Sequence, residues 1–261
     1  MDMDTLEALA QHLVDAHARR DTFETLLSGG QRLTVQQAYA VQDRYVERLR
    51  AAYGAEVVGY KIGLTSQVMQ RMCGIDRPIH GRILASRVHA DGCPLRMADY
   101  GRLGLEFEIA VKLARAVERV PASDEEMADY VEAICPAIEL VDDRAANYEG
   151  LDAASLIADN SWNAGVVLGT WAAPPPDLPA RTGRVRIDGL PADQGRVGDA
   201  LDHPFAPVRW LASELAHMGR KLEAGMIVMT GSIVKTRFPS APGAWVYEVD
   251  GLGAVAVRIA G

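Results

Sequence analysis

Leu6, Leu9, Leu13 and Val14 recur at helical spacing behind Thr5, which the pattern marks as an N-cap. A second helix is expected from Thr34. Gln37, three residues on, completes a capping box, and Ala38, Val41, Tyr45 and Leu49 form the apolar stripe. From Val57 the texture changes to short apolar runs broken by Gly and Pro (VVGYKIGL, PIHGRIL, LEFEIAVKL), the punctuation of strands and turns. A third helix is expected over 124–133, capped by Ser123 and Glu126, with Met127, Tyr130, Val131 and Ile134 on one face and ICPAIELVD following. Pro174, Pro175 and Pro176 mark a surface connection, after which TGRVRIDG reads as a strand. Val208, Leu211, Leu215 and Met218 predict a helix near 207–218 closed by Gly219. MIVMTGS, WVYEVDG and GAVAVRIAG complete the chain as strands. The sum is an α+β, mainly β fold: an N-terminal helical layer over 1–55 and a β-rich body over 56–261, working as one functional unit. No repeat or low-complexity segment interrupts it.

The 261 residues are 49% hydrophobic and 24% charged, enough apolar material for a sizeable core. A net charge of −8 argues against nucleic acid and against an anionic membrane surface. An anionic small substrate then needs a local cation, either a metal ion or a placed Lys. Cys73, Cys93 and Cys135 have neither disulfide-framework nor thiolate-zinc spacing. The opening MDMDTLEALAQHL is acidic and amphipathic, unlike a secretory leader, and no apolar stretch approaches the roughly 18 residues of a membrane span. The expectation is a reduced, cytoplasmic, soluble protein.

The chemistry concentrates in Leu105–Val111. Side chains alternate along a strand, so Glu106 and Glu108 project together while Leu105, Phe107, Ile109 and Val111 face the other way. Neighbouring carboxylates repel unless a cation or water screens them. Glu139 is the lone charge in Ile134–Val141, and Lys61 the lone charge in Val57–Leu64. A buried charge must be paired, neutralised or metal-bound, so Lys61 and Glu139 either pair, reach the surface or serve a site. Three carboxylates without clustered His or Cys suit a hard divalent ion such as Mg²⁺ or Mn²⁺.

The ordered set GYKIGLTS (59–66), LEFEIA (105–110), PAIELVD (136–142), IADNS (157–161) and MTGS (229–232) resembles the fumarylacetoacetate hydrolase superfamily. Within it, the similarity is to the branch of 2-hydroxypenta-2,4-dienoate (2-keto-4-pentenoate) hydratases and 4-oxalocrotonate (2-oxo-3-hexenedioate) decarboxylases. The resemblance implies a mixed, mostly β fold and a divalent metal, usually Mg²⁺, on Glu106, Glu108 and Glu139. It also implies that Lys61 is the active-site lysine and that the Gly63-Leu64-Thr65 loop holds a substrate carboxylate. By the same carry-over Asp159, Asn160, Ser161, Thr230 and Ser232 line the site. A homo-oligomer, pentamer or decamer, is implied, as is association with a partner decarboxylase or hydratase.

The implied activity is addition of water to a 2-hydroxy-2,4-dienoate, giving a 4-hydroxy-2-oxo acid through a metal-stabilised enolate, in catabolism of aromatic ring-cleavage products. The alternative is decarboxylation of 2-oxo-3-hexenedioate. Pro78-Ile79-His80-Gly81 lacks the Asp of the hydratases' P-D-[YF]-G and leans toward the decarboxylases, whereas NAGVVLG at 163–169 resembles the hydratases. His80 titrates near neutrality in water, so it is a candidate for the missing proton transfer or a plain turn residue. An acylpyruvate-type C–C hydrolase and a non-catalytic partner subunit are the remaining readings. His12, His17, His89, His203 and His217 read as surface or structural, and Tyr60 as a packed core residue. Met69, Met72, Met97 and Met127 read as core or interface filler, and Gly243-Ala244, where relatives often have Gly-Asp, as a turn change without catalytic weight.

Overall fold

A computed structural model describes residues 1–27 and 29–261. Two helices open the chain, α1 (Met3–Arg19) and α2 (Val35–Tyr53). The N-cap of α1 is Asp2, whose carboxylate accepts the Thr5 N–H, so the helix starts earlier than a Thr5 cap would place it. Thr34 and Gln37 form the expected capping box on α2. There follow β1 (Val57–Gly63), α3 (Gln67–Met72), β2 (Ile79–Leu84), β3 (Val88–Ala90), β4 (Cys93–Arg96) and β5 (Leu103–Leu113). Next come α4 (Asp124–Ala128), β6 (Val131–Asp142), α5 (Ala153–Ala158) and β7 (Asn163–Leu168). The chain ends with β8 (Thr182–Ile187), β9 (Leu190–Arg196), α6 (Phe205–His217), β10 (Ile227–Met229), β11 (Gly243–Val249) and β12 (Gly253–Ala260). The prolines at 174–176 lie in the connection between β7 and β8.

The helix expected over 124–133 is cut to one turn. Ser123 caps it, but Val131 and Ile134 belong to β6, which pairs with β5 from Leu113↔Val131 to Leu103↔Asp142. The apolar spacing there fits both periods, and the eleven-residue partner strand decides. The helix expected over 207–218 forms as α6, and Gly219 follows it at φ 69 as the left-handed terminator.

Two mixed sheets carry the fold. The larger runs β2-β1-β10-β5-β6-β7-β3 and the smaller β4-β12-β11-β8-β9. Leu105, Phe107, Ile109 and Val111 of β5 join Tyr247, Val255 and Val257 of the smaller sheet in one buried cluster, with Tyr60 among its members. Phe107 is fully buried and by area contributes about 2–3 kcal/mol. The other face of β5 and β6 is lined near the sheet centre by the small residues Ala110, Cys135 and Ala137. A second apolar cluster joins Leu6, Leu13, Tyr39 and Val41 of the first two helices to Ile79, Val141, Leu156 and Trp162. The N-terminal layer is thereby packed against the region where the chemistry-bearing residues converge.

Candidate active site

The strand register brings the three carboxylates together. Glu106 stands directly opposite Glu139, and Glu108 opposite Ala137. Strand alternation then places Glu106, Glu108 and Glu139 on the face turned away from the inter-sheet core. One carboxylate oxygen from each lies within 4.8 Å of the others. Lys61 joins them from β1, two strands from β5 through β10, with Nζ 3.2 Å from Glu139 Oε1.

Each carboxylate is oriented by a hydrogen bond. Thr236 Oγ1 donates to Glu106 Oε1 at 2.6 Å, the Gly231 N–H to Glu108 Oε2 at 2.8 Å, and Asn163 Nδ2 to Glu139 Oε1 at 3.0 Å. Gly231 has φ 100, a backbone state reserved for glycine, so the donor to Glu108 depends on that residue type. Glu108 Oε1 and Glu139 Oε2 are buried without a hydrogen-bond partner. Orphaned carboxylate oxygens are costly, and two of them converging with a third carboxylate fit a hard divalent cation. Glu106 is half-buried and lines the adjoining cavity, leaving the cluster open on that side.

The electrostatics agree with an anionic cluster that wants a cation. Burial, then Glu139 and Glu106, push the Glu108 carboxyl well above the usual carboxylate range. Burial pushes Glu139 up to about 7, with Lys61 opposing and Glu106 adding to the rise. Burial alone would pull Lys61 down, but the three carboxylates outweigh it and hold the ammonium form. Lys61 therefore pairs with Glu139 and also faces the cavity, joining two of the readings its sequence context left open.

The cavity beside the cluster has a volume of about 660 Å³. Lys61, Glu106, Ser161 and Ser232 give it polar points, and Leu64, Ile79, Val141, Leu156 and Trp162 give it apolar walls. Of the residues expected at the site, Gly63, Leu64, Thr65, Ser161 and Ser232 line it with Lys61 and Glu106. Leu64 takes φ 54 as the chain leaves β1, and Gln70 Nε2 donates to its carbonyl at 2.8 Å, fixing the loop. Ser232 Oγ accepts the Phe107 N–H at 3.0 Å. Thr230 Oγ1 donates to the Ile109 carbonyl, so its hydroxyl is used by the sheet.

Of the expected catalytic and substrate-binding residues, Thr230, Asp159, Asn160 and His80 do not line this cavity. Asp159 is buried between His17 Nε2 and Arg144 Nη2, each at 2.6 Å. Asn160 spends its side chain on the backbone of Arg82, accepting its N–H at 2.7 Å and donating to its carbonyl at 2.9 Å. His80 is a correction from register. β1 and β2 pair Lys61 with Gly81 and Ile62 with His80, so His80 shares the face of Ile62 and Ile79 takes the cavity side. His80 is fully buried, stacked on Tyr39 at 4.4 Å, and burial pulls its imidazole down to about 3. Burial disfavours its charged form, and its side chain lies on the strand face opposite the cavity.

Other site residues carry little signal in sequence. Asn163 and Thr236 orient two of the glutamates. Tyr148 lines the cavity and donates to Asp143 at 3.0 Å, itself held by Arg102 Nε at 2.8 Å. Trp162 forms wall between Phe23 and Tyr148. Of these four, Asn163 alone, inside NAGVVLG, lay in a stretch the sequence had marked; Gly231, the donor to Glu108, also lay in one, MTGS. Among the other histidines, His12 and His217 are exposed, and His203 Nδ1 accepts the Phe205 N–H at 3.1 Å. Among the described residues no helix is long and apolar enough to cross a membrane.

The family described as fumarylacetoacetate (FAA) hydrolase C-terminal matches residues 81–260. The chain is 32% identical over 259 residues to a 2-keto-4-pentenoate hydratase of Paraburkholderia phymatum, covering 97% of both. It is 31% identical over 241 residues to a 2-oxo-hept-4-ene-1,7-dioate hydratase of Escherichia coli, covering 90% of both. A 4-oxalocrotonate decarboxylase from Pseudomonas putida G7, solved with magnesium and adipate, superimposes with a TM-score of 0.92 at 25% identity, over 100% of this chain and 99% of that one. The chain is a member of the fumarylacetoacetate hydrolase family.

Proposed function

We propose that the protein is a Mg²⁺-dependent lyase that adds water to a 2-hydroxy-2,4-dienoate of the 2-keto-4-pentenoate type, giving a 4-hydroxy-2-oxo acid. The observation that carries this reading is the pair of orphaned oxygens, Glu108 Oε1 and Glu139 Oε2, beside Glu106 at the edge of a cavity that also exposes Lys61. Glu106, Glu108 and Glu139 would hold the ion. When bound, it supplies Lewis-acid polarisation of the substrate's 2-oxo oxygen.

The chain's own residues have separate tasks. The Lys61 ammonium holds a proton at Nζ and attracts the substrate's negative head group into an otherwise acidic molecule. The backbone of Gly63, Leu64 and Thr65 lies on the same wall and would take the substrate carboxylate. Leu64, Val141 and Leu156 keep bulk water from the substrate chain, which strengthens each polar contact made there. Ser161 and Ser232 supply hydroxyls at the wall. Thr236, Gly231 and Asn163 fix the carboxylate orientations through the hydrogen bonds described above.

A second reading, decarboxylation of 2-oxo-3-hexenedioate, is favoured by Ile79. That position faces the cavity with no acid to offer, in a segment otherwise similar to that of the decarboxylases. Offering 2-hydroxypenta-2,4-dienoate and 2-oxo-3-hexenedioate separately, with and without Mg²⁺, distinguishes the two. Gain of water on the first supports the hydratase, and loss of CO₂ from the second supports the decarboxylase. Metal-independent turnover, or none on either, contradicts both. A homo-oligomeric assembly, pentamer or decamer, belongs to the same proposal, as does association with a partner decarboxylase or hydratase; light scattering of the purified protein reads the mass. The proposed setting is the cytoplasm, consistent with three free cysteines, two of them buried.

A further inference from the structure

The segment after α5 holds three successive non-glycine residues in the left-handed region: Asn160 (φ 50), Ser161 (φ 52) and Trp162 (φ 59). L-residues rarely sustain that conformation in series, and it persists only where the surroundings over-determine it. Here they do so from three sides. Asp159 is fixed by His17 of α1 and by Arg144, each at 2.6 Å. His17 in turn stacks on Tyr45 of α2 at 5.6 Å. Asn160 clamps the Arg82 backbone in both directions. Gly81 lets the turn approach, since a Cβ there would lie 2.3 Å from the Asn160 carbonyl oxygen.

This constraint delivers two donors to one wall. Ser161 and Trp162 both line the cavity, and Ser161 Oγ and Trp162 Nε1 are both buried without a hydrogen-bond partner. The indole is set by Phe23, edge-on at 5.1 Å, and by Tyr148 at 5.9 Å. Buried donors left unmatched are expensive, and two of them on adjoining residues of one cavity wall point to a ligand acceptor. The charged groups on the cavity wall are Lys61, Lys235 and Glu106, two of them cationic, so the matching acceptor is an anion.

We propose that Ser161 Oγ–H and Trp162 Nε1–H together bind a substrate carboxylate, with His17 a positioning residue acting through Asp159. The inference rests on the 2-oxo-acid reading of the cavity. The carboxylate is either the one beside the 2-oxo group or a second one at the far end of a dicarboxylate.

The test is direct binding by calorimetry in the presence of Mg²⁺. Saturated analogues, 2-oxopentanoate and 2-oxohexanedioate, keep the head group and lack the reacting alkene. Trp162→Phe keeps the ring and removes the donor, and Ser161→Ala removes the hydroxyl. Each variant is expected to weaken binding about tenfold or more, the scale of one hydrogen bond to a charged acceptor. Mg²⁺ affinity and Tm should stay at wild-type values. Equal losses on both analogues place the pair at the head carboxylate, and loss on the dicarboxylate alone places it at the far end. His17→Leu should reproduce the loss, His17→Gln should restore most of it, and His17→Leu added to Trp162→Phe should cost little more. Unchanged affinity of Trp162→Phe and Ser161→Ala for both analogues overturns the inference. Failure of the wild-type protein to bind either analogue overturns the 2-oxo-acid reading beneath it.

Discussion

Glu106 and Glu139 face each other directly across β5 and β6, two carboxylates in one cross-strand pair. Like charges in that position destabilise a sheet unless something else is gained. With Glu108 one repeat along and Lys61 3.2 Å from Glu139, the pair forms a cluster whose cost the proposed ion binding would offset.

Replacing Glu108 by Gln keeps the shape and removes one buried negative charge. The Tm of Glu108→Gln without Mg²⁺ is expected to equal or exceed that of the wild type. Mg²⁺ at about 100 times its Kd should stabilise the wild type by about 2.7 kcal/mol, a rise of roughly 5–10 °C, and the variant hardly at all. Differential scanning calorimetry with and without the ion reads both. An equal rise in the two proteins contradicts the ligand assignment.

Lys61→Met removes the cation 3.2 Å from Glu139. Turnover should fall about 100-fold or more, the scale of a lost proton-holding group. The carboxyl of Glu139, already pushed up to about 7, should rise further once its cation is gone. A carboxyl raised in the folded state favours the protonated form, so its contribution is present at low pH and lost as pH rises through the folded value. Metal-free Lys61→Met should therefore lose more stability than the wild type between pH 6 and 8, measured by urea unfolding across that range.

His80 acts on stability in the opposite direction. Its imidazole is pulled down to about 3 by burial and by the positive charges of Arg82 and Arg220, so the folded protein keeps it neutral. Its contribution is complete above the unfolded value near 6.5 and is lost as pH falls toward 3. Each pH unit in that window costs up to about 1.4 kcal/mol. His80→Phe should flatten the acid limb of the stability curve and leave kcat within about threefold. A large loss of kcat with unchanged Tm would return His80 to the chemistry.

Gly81→Ala should damage the site through packing. The added methyl would sit 2.3 Å from the Asn160 carbonyl, so the left-handed turn must move. Destabilisation of about 1–3 kcal/mol is expected, with weaker substrate binding and unchanged Mg²⁺ affinity. Calorimetric titration of ion and substrate analogue on the variant separates the two effects.

Much of this site is readable along the chain because the physics is local. Glu106 and Glu108 share a face by alternation alone, and Glu139 and Lys61 stand out as lone charges in apolar runs. Their meeting depends on pairings across β1, β10, β5 and β6, which spacing does not encode. His80 shows the limit most clearly. One residue of register separates it from Ile79, and that step carries it to the opposite face. Val131 and Ile134 read as helix because a short apolar window fits both periods, and β5 resolves it. Trp162 and His17 gave no signal, since their roles arise from a left-handed turn and a contact 142 residues apart in sequence.

The proposed function requires that Glu106, Glu108 and Glu139 hold the divalent ion on which turnover depends. Its most direct test is a Mg²⁺ titration of chelator-treated protein, following binding by calorimetry and turnover of 2-hydroxypenta-2,4-dienoate and of 2-oxo-3-hexenedioate in parallel. One ion per chain, a half-saturation of turnover on the accepted substrate that coincides with the binding Kd, and loss of both in Glu139→Gln are expected. Full turnover without the ion, or unchanged Mg²⁺ affinity in Glu139→Gln, would contradict it.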